Sequence, residues 1–226
     1  MENRLVSRPG RLLKAVGLLG LTAGTALSLQ ATAAGSVSPS ALQNATTSPV
    51  YWMWDPVTVV GSSTVVRTNG GVSFTYKTSS LTPGQAVTVW IIVFNNPEAC
   101  ATSPCTLADM SNPEAQGDFL FGGGHVIGGS GVGNFGGHLQ VGDISGSGLA
   151  EIGGEATGLL DPFTAEIQLA LHSHGPAVPG QVLRAQLSSF LGGCVNFLGP
   201  DGIAAGPEDM PVEVGECSTF QISVHQ

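Results

Sequence analysis

The segment GVSFTYKT, residues 71–78, alternates Val72, Phe74 and Tyr76 with Ser73, Thr75 and Lys77. That two-residue period recurs along the chain and no segment sustains a helical one, which restricts the fold to β-strands. GVSFTYKT follows TVVRT across Asn69-Gly70-Gly71, a hairpin signal. After the turn LTPG comes AVTVWIIVF, where Val87, Val89, Ile91 and Val93 lie opposite Trp90, Ile92 and Phe94. A strand apolar on both faces belongs between packed layers. FLF, GHVIGG, NFGGHLQV, AEIQLALHS, QVLRAQL and TFQISVH are further strand candidates, and TLADMSNPEAQ has room for a turn or two of helix. About nine or ten short strands joined by Gly/Pro turns predict an all-β domain, an antiparallel β-sandwich or flattened barrel. Fifteen glycines fall between 122 and 158, interleaved with Phe121, Val126, Ile127, Phe135, Leu139 and Val141. That mixture reads as tight hairpins and close backbone approach, not as a linker.

Residues 1–34 stand apart from this pattern. Arg4, Arg8, Arg11 and Lys14 precede the apolar run AVGLLGLTAGTALSLQ, and ATAA closes it with small residues. This is the order of a secretory signal peptide, cleaved after Ala33 or Ala34. The run is 16 residues long, short of the roughly 20 that span a bilayer, and no later segment is apolar for long enough. The expected product is a secreted protein, periplasmic or extracellular, with no membrane span in the mature chain. Residues 35–49 read as a flexible lead-in and residues 50–226 as one domain.

Without the leader the chain keeps three basic residues (Arg67, Lys77, Arg184) against fifteen acids, a balance of −12. Nucleic acid is excluded as a partner by the lack of a basic patch. The four cysteines, Cys100, Cys105, Cys194 and Cys217, allow three disulfide pairings in an exported protein. Cys100–Cys105, closing the loop CATSPC, and Cys194–Cys217 are favoured. A four-cysteine zinc site is the competitor, and it lacks paired CxxC knuckles.

Familiar catalytic patterns are incomplete, and no catalytic residue is assigned. GVGNFG matches GxGxxG, but GHLQVGDISGSG cannot supply the helix that a dinucleotide site needs. Ser130, Ser145 and Ser147 each miss a glycine of GxSxG. The acidic segment holding Asp201, Glu208, Asp209, Glu213 and Glu216 offers calcium its oxygen ligands without EF-hand spacing. The histidines are more suggestive. In AEIQLALHSH, Ile167, Leu169 and Leu171 point one way, while Glu166, Gln168, Ala170, His172 and His174 point the other. His172 and His174 therefore share a face about 7 Å apart. His138 sits on the polar side of its strand, and with His125 it completes a candidate set of imidazoles suited to zinc or copper. The competing expectation places these histidines on a wet sheet face.

LTPGQAVTVWIIVFNNPEAC, GHVIGGSGVGNFGGHLQVGD and GLLDPFTAEIQLALHSHGPAVPGQ together resemble a family of exported bacterial proteins with no established activity. The likeness covers most of residues 80–190 and implies no mechanism. LHSHGPAVPGQV is similar to a short stretch of chordin-type (CHRD) β domains. Cupins also use HxH, but their following glutamate has no counterpart in GPAVPGQ. The expectation is a secreted acidic binding or structural module of unknown ligand. The alternative is a metal-binding protein or metalloenzyme built on the histidines.

Overall fold

Alternation decides which side of each strand meets the core, and a second covering layer decides the fate of the other side. The computed structural model describes residues 44–199 and 202–226; the expected leader lies outside the described residues, as does most of the expected lead-in. The first strands are β1 (Asn44–Trp52), β2 (Asp55–Thr68), β3 (Gly71–Thr78), β4 (Gln85–Phe94) and β5 (Gly117–Val126). The rest are β6 (Gly133–Gln140), β7 (Glu166–Pro176), β8 (Asn196–Phe197) and β9 (Glu216–His225). Two short helices, α1 (Gly148–Glu151) and α2 (Gln181–Gln186), lie in the connections. The segment 107–111, within the one stretch read as able to turn helically, forms a 3₁₀ helix.

A single sheet runs in the order β5-β4-β7-β9-β1-β2-β3-β6 with every neighbour antiparallel; β8 adds a short parallel pairing to β9. The edges β5 and β6 return to each other, so the sheet is a nearly closed barrel. Glycine allows that approach. A Cβ at Gly137 would stand 2.6 Å from the Gly122 carbonyl oxygen, so backbone meets backbone at the seam.

The barrel interior takes Val87, Val89, Ile91 and Val93 of β4, Ile167, Leu169 and Leu171 of β7, and Val72, Phe74 and Tyr76 of β3. On the outer side of β4, Ile92 and Phe94 pack with Ala170, Cys105 and Ala115 in a second apolar layer. Two disulfides hold the covering segments, Cys100–Cys105 with Cα atoms 5.4 Å apart and Cys194–Cys217 with Cα atoms 5.5 Å apart. This is the pairing favoured by the sequence. Among the described residues no helix is long and apolar enough to cross a membrane.

Three expectations need correction. QVLRAQL is helical, not extended: Gly180 adopts φ +91° and opens α2. Buried Gln186 then donates its amide to the carbonyls of His174 and Pro176. Strand β1 starts at Asn44, inside the stretch read as lead-in, because residues 44–50 pair in continuous register with residues 61–67 of β2. The polar row of β7 is not wet. Glu166, Gln168, His172 and His174 are all buried beneath the outer layer.

The barrel interior also contains a polar layer. His225 bonds the hydroxyls of Thr46 and Ser63, and Arg67 donates to the carbonyls of Pro162, Ala165 and His225. Burial, reinforced by the Arg67 charge, pushes the His225 imidazole down to about 4. The folded protein thus keeps His225 neutral where an unfolded chain, titrating near 6.5, has already taken up a proton. Stability contributed by neutral His225 is therefore present above about pH 6.5 and lost as the pH falls toward 4. Urea midpoints measured at pH 7.5 and pH 5 should drop for the wild type and drop less for His225→Gln. Equal drops in the two proteins would remove His225 from this account.

Candidate metal centre

The site begins with the alternation of β7. His172 and His174 project from the outer side of the strand, and both side chains are fully buried. Their ring centroids are 4.8 Å apart with planes at 79°. Next to β7 in the sheet runs β9, which supplies Cys217 and Thr219. A register shift lies between the pairs Leu171–Gln221 and His172–Thr219, so one extra residue of β9 bulges there. Such a bulge re-aims side chains locally. Cys194 arrives from the loop between α2 and β8, where the N–H groups of Val195 and Asn196 both donate to the carbonyl of Gly215.

His174 is oriented by a chain of donors. The indole N–H of Trp90 donates to Thr88 Oγ1, and Thr88 lies 2.9 Å from His174 Nε2. At the other nitrogen, Nδ1 is 2.8 Å from the carbonyl oxygen of Gly192. A carbonyl can only accept, so in the neutral ring Nδ1 carries the proton and the Thr88 hydroxyl donates to Nε2. The same Nδ1 stands 3.7 Å from Cys194 Sγ and 3.8 Å from Cys217 Sγ.

His172 is held differently. Its Nδ1 is 2.9 Å from Thr219 Oγ1, and its ring stacks on Phe190 at 4.6 Å. Its Nε2 is buried with no hydrogen-bond partner among the described residues. Buried polar atoms are seldom left unpaired, so this orphan nitrogen calls for an explanation. Burial holds the His172 imidazole well below its ordinary range, with the neighbouring His174 adding to the effect. Burial also lowers His174, to about 4, against the opposing hydrogen bond to Gly192.

No family model, curated protein or solved structure matches this chain. The chemistry must be read from the site itself. Among the described residues, one group of metal-ligating side chains converges: His172, His174, Cys194 and Cys217, whose ligand atoms all lie within 4.8 Å of one another. The two sulfurs are bonded to each other here, so the same four residues form either a disulfide flanked by imidazoles or a Cys₂His₂ set.

The other sequence candidates lie elsewhere. His138 is exposed on β6 and bonds Ser73 Oγ through Nδ1 at 3.0 Å. His125 is exposed on β5, edge-on to Phe135. The four histidines do not assemble; the pair on β7 assembles with cysteines instead. In the acidic tail, Asp209 accepts from the N–H of Ala205 and Glu216 from that of Glu213, while Asp201 lies outside the described residues.

Sequence reasoning missed the union of the two residue sets, because Cys194 and Cys217 follow His174 by 20 and 43 residues. It also missed Thr88, Thr219 and Phe190, which carry no motif. The alternation of β7 was the one available signal, since it places His172 and His174 on a common side.

Proposed function

We propose that this chain is an exported β-barrel that holds zinc or copper(I) between His172, His174 and the thiolates of Cys194 and Cys217. The observation that carries this reading is the convergence of four ligand atoms within 4.8 Å of one another, on a set that includes His172, whose buried Nε2 has no hydrogen-bond partner among the described residues. Two nitrogens and two sulfurs suit these ions and disfavour calcium. In the oxidised protein the sulfurs are bonded to each other, so loading requires a dithiol reductant. The reductant is oxidised to a disulfide as Cys194 and Cys217 become thiols, and the thiols release their protons on binding. Thr219 would orient His172 by accepting from its Nδ1–H, leaving Nε2 as ligand. His174 would bind through Nδ1, with its ring proton moved to Nε2 and accepted by Thr88. Such outer hydrogen bonds are usual for metal-bound histidine. Export is supported by the leader pattern and by the two disulfides.

Cobalt(II) titration of the reduced protein tests the reading. The expected result is one equivalent bound, with thiolate-to-cobalt charge-transfer absorption and tetrahedral ligand-field bands. Both signals should vanish in His172→Ala and in Cys194→Ser, and neither should develop in the oxidised wild type. A reduced wild type that stays colourless and binds no stoichiometric metal would sink the proposal. The closed Cys194–Cys217 bond favours the reading that would then remain, a binding or structural module stapled for good.

A further inference from the structure

A cavity of about 250 Å³ adjoins this cluster on the outer side of the barrel. It is independent of the metal reading. Its floor is Ala170, the smallest side chain in the outward row of β7, lying between Gln168 and His172. Three rings form its wall, Trp90 of β4, Phe119 of β5 and Phe190. They meet edge to face, with centroids 5.5 Å apart for Trp90–Phe119, 5.3 Å for Trp90–Phe190 and 4.8 Å for Phe119–Phe190.

The α1 segment supplies Leu149 and Ile152 as the roof. The carboxylate of Glu151 fastens that roof by accepting from the N–H groups of Phe190 and Leu191. Ile152 is 53% exposed and marks the mouth.

The lining selects the ligand chemistry. Among the described residues no lining side chain carries a charge, and the one hydroxyl side chain in the lining, Thr219, already bonds His172. The polar atom of Trp90 is likewise used, on Thr88. A charged ligand would lose its hydration here without gaining a partner, whereas ring faces and edges suit flat hydrocarbon. Size follows from volume. An apolar cavity of about 150 Å³ accommodates benzene, so the larger space admits two fused rings.

We propose that this cavity is a binding site for a neutral, planar, hydrocarbon-rich molecule of about naphthalene size. The probe is naphthalene itself, titrated into the oxidised full chain beside naphthalene-2-sulfonate. Binding is followed by NMR at the methyl groups of Leu149, Ile152 and Ala170 and at the Trp90 indole. Saturable shifts at these positions are expected with naphthalene, and binding of the sulfonate should be at least about tenfold weaker. Ile152→Glu, at the exposed mouth, should weaken naphthalene binding by about tenfold, and Ala170→Phe should abolish it by filling the floor. Should Ala170→Phe fail to fold, Ile152→Glu carries the test alone. The proposal is overturned by an absence of saturable shifts, by equal affinity for the two probes, or by an Ile152→Glu variant that binds as the wild type does. It is also overturned if the same methyl signals shift on dilution without ligand, which would make the cavity a contact between two copies of the chain.

Discussion

Leu169→Asp should leave no folded protein at 25 °C, and Gln168→Asp, its neighbour on the opposite side of β7, should cost about 2–4 kcal/mol. Leu169 is fully buried in the barrel, in register between Ile91 of β4 and Ser223 of β9. Removing its side chain alone forfeits about 3 kcal/mol, and an unpaired carboxylate in that place costs several more. Together these consume most of the roughly 5–15 kcal/mol that stabilises a domain. Gln168 is buried for a different reason. Its amide donates to the carbonyl of Cys105 and to the carboxylate of Glu166. Aspartate cannot donate there, and it sets a second carboxyl group against Glu166. Circular dichroism and urea melts of the two variants provide the measurement. Were β7 wet on its outer side, Gln168→Asp would fall within about 0.5 kcal/mol of wild type, and that result would show that the outer layer does not cover the strand.

Asp118→Ala is expected to cost about 3–5 kcal/mol and to lower the melting temperature by roughly 10 °C. Asp118 is fully buried near the start of β5. One carboxylate oxygen accepts from the Phe119 N–H and the Ser147 hydroxyl, and the other accepts from the N–H groups of Thr157 and Gly158. Ser147 in turn caps α1 by accepting from the Ala150 N–H. A single side chain therefore ties both ends of the segment 147–158 to the barrel wall, and deletion strands several donors at once. Asp118→Asn should also destabilise, because the two oxygens serve donors on both sides and an amide offers only one. Calorimetry together with limited proteolysis of the 147–158 segment would check this. A melting temperature within 2 °C of wild type, with no new cleavage, would show that these bonds contribute little.

The two variants separate what local pattern encodes from what it does not. The alternation in AEIQLALHSH correctly divides β7 into two sides, because successive side chains of any strand point in opposite directions. It does not say whether the polar side meets water. Gln168, His172 and His174 are hydrophilic residues buried under a second layer, which consists of the Cys100–Cys105 region, Phe190 and Phe197. The double-sided apolarity of AVTVWIIVF was the one sign of that layer, and it pointed to β4 without reaching its partner β7. The helix α2 escaped notice for a related reason. Six residues hold too few turns for a period to emerge, and Gln186, its buried anchor, is polar.

The all-β class, the hairpin at Asn69-Gly70 and the inward residues of β3 and β7 are legible in the sequence alone, whereas the cysteine spacing favoured one pairing of three. The first three depend on contacts between residues near in the chain or on the two-residue period, so a local reading suffices. Packing of the whole chain set the curl of the sheet into a nearly closed barrel rather than two stacked sheets. It also left His125 and His138 exposed while bringing His172 and His174 against Cys194 and Cys217. Those outcomes depend on strand order and on the bulge in β9, which bring together residues tens of positions apart. No periodicity records such a meeting, because loop closure joins distant segments through packing of the whole chain.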